Sequence, residues 1–134
     1  HKQVYVDCYN ANPASMKDAL EVFSATTSKQ HPRLFILGGM EELGDDSERY
    51  HHELGLSLKL ESTDKVYLIG GQAAAMRSGA LKAGLVEEQI GVVEDAEVIR
   101  SVFENFSGPV FLKGSRRYRL EILLPETKPE AAHA

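Results

Sequence analysis

Leu34-Phe35-Ile36-Leu37-Gly38-Gly39-Met40-Glu41-Glu42-Leu43-Gly44 runs from four consecutive apolar residues straight into a glycine-bearing acidic loop. A short, uninterrupted apolar run suits a strand buried on both faces, because a half-exposed strand would alternate apolar with polar residues. Beyond the loop a helix is predicted to begin near Ser47 and to run through residues 48–61, so the passage reads strand, loop, helix. The unit recurs on either side. Val4-Tyr5-Val6, Val66-Tyr67-Leu68-Ile69, Val92-Val93 and Val110-Phe111-Leu112 are further strand candidates. Met16, Ala19, Leu20 and Phe23 repeat with helical spacing, with Asn12 placed as N-cap and Pro13 at the first helical position. A third helix is predicted over residues 72–83, stopped by Gly84. A fourth starts at Asp95 and keeps Ala96, Ile99, Phe103 and Phe106 on one stripe before Ser107-Gly108-Pro109. Strands separated by helical crossovers imply right-handed βαβ units. The expected fold is α/β and Rossmann-like, a mostly parallel sheet with helices on both faces.

Residues 118–124 fit two periods, since Leu120, Ile122 and Leu124 alternate like a strand while Leu120, Leu123 and Leu124 suit a helix. Residues 1–124 are expected to form one domain and residues 125–134 a frayed tail. With 134 residues, 43% apolar and 26% charged, the composition is that of one ordinary globular domain. The net charge of −5 opposes binding to nucleic acid or to an anionic membrane surface. One cysteine, Cys8, excludes an internal disulfide and fits a reducing compartment, so a cytoplasmic location is expected.

In open parallel sheets ligands bind beyond the carboxyl ends of the strands, and three loops there carry chemistry. Asp7-Cys8-Tyr9-Asn10-Ala11-Asn12-Pro13 holds a carboxylate suited to ribose hydroxyls, amides able to read a base edge and a ring able to stack on it. Asn-Ala-Asn-Pro is also good helix-entry chemistry, and on the residues alone Asn12 reads first as a cap. The Gly38–Gly44 loop could let a ligand approach the backbone closely, or be a surface turn. Lys113-Gly114-Ser115-Arg116-Arg117 gathers three cations and a hydroxyl, which suits an anionic group or a solvated basic turn equally. No G-x-x-x-x-G-K-[ST] occurs, so the chain lacks a loop for a nucleoside triphosphate with its magnesium. No metal site is expected. His51-His52-Glu53 lacks H-E-x-x-H spacing and reads as surface helix, and Glu41, Glu42, Asp45 and Asp46 lack calcium-loop order. Cys8 has no identifiable histidine partner and reads as packing rather than as a nucleophile.

Asp7-Cys8-Tyr9-Asn10-Ala11-Asn12-Pro13-Ala14-Ser15-Met16 resembles the D-S-Y-N-A-N-P-x-S-M motif that opens the last domain of MurF-type Mur ligases. The resemblance continues through Ile36–Gly44, similar to I-L-G-D-M-x-E-L-G, through His51-His52-Glu53-Leu54-Gly55, similar to H-x-E-x-G, and through Lys113-Gly114-Ser115-Arg116, matching K-G-S-R. It implies the C-terminal domain of an ATP-dependent ligase that adds D-Ala-D-Ala to UDP-N-acetylmuramoyl-tripeptide. Magnesium and most of the ATP site would belong to a central domain outside this chain, and the chain alone would be inactive. In that picture Asp7 would contact the ribose, with Tyr9, Asn10 and Asn12 near the adenine. Gly39, Met40, Glu41, Lys113, Ser115 and Arg116 would face the phosphate and the incoming dipeptide. Among the departures, Val6 stands where many relatives have a second Asp, Gly39 replaces the Asp of G-D-M, and Arg117-Tyr118 replace the usual Gly-Met after K-G-S-R. The alternatives are a related MurE or folylpolyglutamate-type ligase domain and a free-standing nucleotide- or protein-binding module.

Overall fold

A computed structural model describes residues 3–7 and 11–125 of the chain, so Cys8, Tyr9, Asn10 and the expected tail from 126 onward lie outside the described residues. Among the described residues five strands form a single sheet: β1 (Val4–Asp7), β2 (Leu34–Gly38), β3 (Lys65–Ile69), β4 (Ile90–Val93) and β5 (Val110–Lys113). Among the same residues four α-helices accompany them: α1 (Pro13–Thr26), α2 (Ser47–Leu56), α3 (Ala73–Lys82) and α4 (Arg100–Asn105). The strand order is β1-β5-β2-β3-β4, with every neighbouring pair parallel. Going from β1 through β4, the chain moves across the sheet in one direction, and right-handed crossovers then put α1, α2 and α3 on one face. The return from β4 to β5 reverses direction and carries α4 to the other.

Two apolar cores follow from this layering. Phe35 and Leu37 of β2 and Phe111 of β5 pack with the α1, α2 and α3 side chains. Leu34, Ile36, Val110 and Leu112 pack with Ile99, Phe103, Leu120 and Leu123 on the opposite face. Successive strand residues therefore serve opposite cores, which explains why β2 and β5 are buried throughout and apolar up to their last residues, Gly38 and Lys113. The edge strands β1 and β4 are less covered, with Val6 40% and Val92 51% exposed. Phe23 of α1 meets Phe35 and Phe111 edge-on, with centroids 5.2 and 5.4 Å apart, contacts worth about 0.5–1.5 kcal/mol each beyond area burial.

Helix α1 starts as its sequence indicates. Asn12 Oδ1 accepts from the Ser15 amide at 2.9 Å, the Asn12 amide donates to Ser15 Oγ at 3.1 Å, and Met16, Ala19, Leu20 and Phe23 are its buried stripe. Helix α2 ends at Leu56, short of residue 61, because the Ser57 hydroxyl bonds the Leu54 carbonyl and Leu58 turns into the core. It packs on α3 through glycines: a Cβ on Gly79 would stand 2.0 Å from the His52 carbonyl oxygen, and one on Gly55 2.1 Å from that of Met76. The fourth helical stretch begins as a 3₁₀ turn, Ala96–Ile99, and becomes α-helical only over α4, while Phe106 lies past its end yet still packs on the same core. Residues 118–124 are neither strand nor α-helix. They hold the 3₁₀ turns Arg116–Tyr118 and Leu120–Leu123, whose three-residue period buries Leu120 and Leu123 together. Among the described residues, no helix is long and apolar enough to cross a membrane.

Candidate functional site

The carboxyl ends of β1, β5 and β2 lie side by side, in that order, and they carry the loops singled out by sequence. Register pairs Asp7 with Lys113 and Lys113 with Leu37, so the last residues of β1 and β5 are neighbours. There Lys113 Nζ donates to Asp7 Oδ2 at 2.7 Å, with the lysine side chain 1% and the aspartate side chain 35% exposed. An ammonium so deeply placed needs a counter-charge. The three cations of the last loop are therefore unlike one another: Lys113 is internal and ion-paired, while Arg116 and Arg117 are exposed.

Past the strand ends the two central loops are joined by their backbones. The Ser115 amide donates to the Gly39 carbonyl at 2.9 Å, and a Cβ on Gly114 would lie 2.6 Å from the Gly38 Cα. The Gly38-Gly39 pair thus admits the chain's own neighbouring strand rather than an open approach. Ser115 is buried, and its hydroxyl accepts from the Arg117 amide at 3.1 Å, which starts the 3₁₀ turn that presents Arg116 and Arg117. Met40 departs from the expected orientation. Its side chain is 3% exposed and packs in the α1–α3 core, so only its backbone belongs to the loop surface. Glu41 faces outward, reached by Arg117 Nη1 at 3.3 Å and by the Tyr118 hydroxyl at 3.4 Å. Burial, and after it the Glu41 charge, raises the Tyr118 phenol above its ordinary pKa, which keeps it protonated as the donor.

His51 corrects the reading of its helix as surface. The ring is fully buried, Nε2 accepts from the Met40 amide at 2.8 Å, and Nδ1 lies 2.7 Å from the Ser47 carbonyl. An amide can only donate and a carbonyl only accept, so the two contacts assign a neutral ring with its proton on Nδ1. His51 clamps the loop after β2 to the first turn of α2. One signal would have found it: His51, Leu54 and Gly55 share helical spacing and form the buried face of α2. Asn12 lies at the entrance to α1, where its side-chain oxygen is committed to the cap and its NH₂ group is the part left for a ligand. Tyr9 and Asn10 lie outside the described residues.

Among the described residues, two clefts on this edge matter for the site. The larger, of about 910 Å³, lies between the ends of β3 and β4 and the 3₁₀ turns after β5, and the smaller, of about 370 Å³, lies over residues 40–44. Gly71, Arg117 and Tyr118 line both.

Residues 1–115 match the family model described as Mur ligase, glutamate ligase domain. The chain is 33% identical over 122 residues to the UDP-N-acetylmuramoyl-tripeptide--D-alanyl-D-alanine ligase of Bacillus subtilis, covering 90% of this chain and 26% of that protein. To the enzyme of the same name from Escherichia coli it is 29% identical, covering 86% of this chain and 24% of the relative. Among solved structures, MurF from Acinetobacter baumannii superposes with a TM-score of 0.72 at 26% identity, over 92% of this chain and 27% of that one. The MurF ligase of Thermotoga maritima, determined in complex with ADP, shares the fold with a TM-score of 0.69 at 24% identity, over 90% of this chain and 26% of that one. The chain thus spans about a quarter of the length of the relatives it matches. By the family match over residues 1–115 and the MurF relatives and structures that agree with it, the chain belongs to the Mur ligase, glutamate ligase domain family and is of the MurF type.

Proposed function

We propose that this chain works as the C-terminal, closing domain of an ATP-dependent amide-bond ligase that adds D-Ala-D-Ala to UDP-N-acetylmuramoyl-tripeptide in peptidoglycan synthesis, in the cytoplasm. The observation that carries the reading is the Asp7–Lys113 pair, which sets the helix-entry loop beside the Lys113–Arg116 loop on one sheet edge in a domain of the MurF type. In such a ligase the tripeptide carboxylate takes the terminal phosphoryl group of ATP. The dipeptide amine then attacks the acyl phosphate, forming the amide and releasing phosphate.

In this reading the domain orients and covers, and the residues divide by edge position. Asp7, partly exposed, and the amide NH₂ of Asn12 offer polar contacts to ribose and adenine, together with Tyr9 and Asn10 of the same loop. Lys113 acts by holding Asp7 and by its positive field. Arg116, exposed on the turn that Ser115 begins, offers a planar fork to the dipeptide carboxylate or the acyl phosphate, flanked by the Gly39–Glu41 loop. In this reading magnesium is held by the remainder of the enzyme, and none of the steps given to this chain runs through it.

The test is kinetic and uses the complete ligase. Arg116→Lys keeps the charge but loses the fork, and misplacing the attacking amine by about 1 Å costs on the order of a hundredfold in rate. Efficiency with D-Ala-D-Ala is expected to fall by about that factor while the KM for ATP stays near wild type. Ser115→Ala is expected to be milder, since it removes only the hydroxyl that accepts from the Arg117 amide. Wild-type dipeptide efficiency in both variants would remove this loop from the site.

A further inference from the structure

Gly39 and the adjacent pair Arg117-Tyr118, departures from the motif pattern in two loops, are far apart in sequence and meet at one point of the fold. The Tyr118 ring lies over the glycines at the ends of two strands: a Cβ on Gly38 would come within 3.1 Å of it and one on Gly70 within 2.6 Å. At Gly39 a Cβ would stand 3.2 Å from the Tyr118 hydroxyl and 3.3 Å from His51 Nε2. The Gly39 backbone does not adopt positive φ, so a side chain there meets no conformational penalty and crowds only its surroundings, with the Tyr118 hydroxyl and the His51 ring having to yield by a few tenths of an ångström. The phenol occupies the space into which a residue 39 side chain would grow. Arg117 and Tyr118 both reach Glu41, so the departures share one carboxylate.

This ring is also a wall. Tyr118, with Arg117 and Gly71, bounds the 370 Å³ cleft over residues 40–44 and the 910 Å³ cleft on the β3–β4 side. Arg117 is 71% exposed, lines both and follows Arg116 on the same turn, so a dipeptide whose carboxylate is held there by the Arg116 fork with Arg117 beside it would bring its C-terminal side chain against Tyr118.

We propose that Tyr118 is a specificity-determining residue of the acceptor site: its ring closes the smaller cleft against dipeptides with a C-terminal side chain larger than methyl, and Gly39 is the residue that makes room for it. The inference rests on the ligase reading given above. Removing the ring joins the two clefts and relieves the exclusion. Tyr118→Phe keeps the wall and loses only the hydroxyl, with its hydrogen bonds to Glu41 and to the Gly71 backbone.

Two measurements test it. In the complete ligase, the efficiency ratio for D-Ala-D-Leu over D-Ala-D-Ala is expected to rise at least about tenfold in Tyr118→Ala, the scale of discrimination that a few methylenes give in an apolar pocket, and to stay near wild type in Tyr118→Phe. Tyr118→Leu, which keeps apolar volume over the glycines, is expected to give a smaller rise and serves if the alanine variant folds poorly. In the 134-residue chain, Gly39→Asp is expected to lower the melting temperature clearly, and by much less when combined with Tyr118→Leu. Product from the wild type with an unchanged ratio in the Ala and Leu variants overturns the specificity role alone. Additive melting shifts overturn the pairing of residues 39 and 118. No product from the wild type with either dipeptide overturns the ligase reading, and this proposal with it.

Discussion

Asp7→Ala is expected to destabilise the domain by about 3 kcal/mol, the lower end of the range for removing one partner of a buried ion pair. The change leaves the Lys113 ammonium, 1% exposed, without the carboxylate 2.7 Å away, and the low end applies because Asp7 itself is 35% exposed and water reaches the pair from that side. Asp7→Asn is expected to cost less, since the amide oxygen can still accept from Lys113. The sign of coupling is the diagnostic feature: Asp7→Ala combined with Lys113→Met should be more stable than Asp7→Ala alone, because the buried ammonium is then removed together with the carboxylate that faces it. Urea unfolding of the four proteins measures this cycle. A double variant less stable than Asp7→Ala would show that Lys113 is held by something other than its charge partner.

Asp64→Ala is expected to have the largest effect of any single substitution described, a loss of about 3–5 kcal/mol. Arg33 and Asp64 are both fully buried at the amino ends of β2 and β3. Asp64 Oδ1 accepts from the Arg33 amide at 3.0 Å and from Nε at 3.2 Å, and Oδ2 accepts from Nη2 at 2.7 Å and from the Glu61 amide at 2.8 Å. The carboxylate therefore ties the start of one strand to the turn before the next. Its loss also strands the guanidinium, and against a typical domain stability of about 5–15 kcal/mol the folded state would be marginal at 37 °C. A stability within about 1 kcal/mol of wild type would contradict the assignment of this pair as a structural clamp. The clamp lies at the opposite end of the sheet from Asp7 and Lys113, so its variants report on folding without touching the candidate site.

The contrast between these two pairs shows where sequence reading stops. Local signals were legible: the Asn12-Pro13 entry to α1, its four-residue buried stripe and the apolar runs of β2 and β5 all depend on residues within one or two turns of each other. The parallel α/β fold followed from their alternation. Arg33 with Asp64, Asp7 with Lys113, and Gly39 with Tyr118 are joined only by strand order, and Asp7 and Lys113 are separated by 106 positions, so no periodicity reveals them. Strand order itself is set by packing: β5 inserts between β1 and β2, which is what makes Lys113 internal. His51 was misread for a different reason, since a polar residue on the buried stripe of a helix looks like a surface residue until the Met40 amide and the Ser47 carbonyl are seen to satisfy it. Residues 118–124 resisted assignment because a 3₁₀ turn buries every third residue, a period that overlaps both alternatives.

The most direct measurement of the central claim is amide-bond formation by the complete protein whose reading frame contains this chain. Incubated with ATP, magnesium, UDP-N-acetylmuramoyl-tripeptide and D-Ala-D-Ala, the complete protein is expected to yield the ligated pentapeptide product and phosphate in equal amounts, and the 134-residue chain alone to yield none. Product from the chain alone, or no dipeptide-dependent product from the complete protein, would contradict the assignment of this chain as the closing domain of such a ligase.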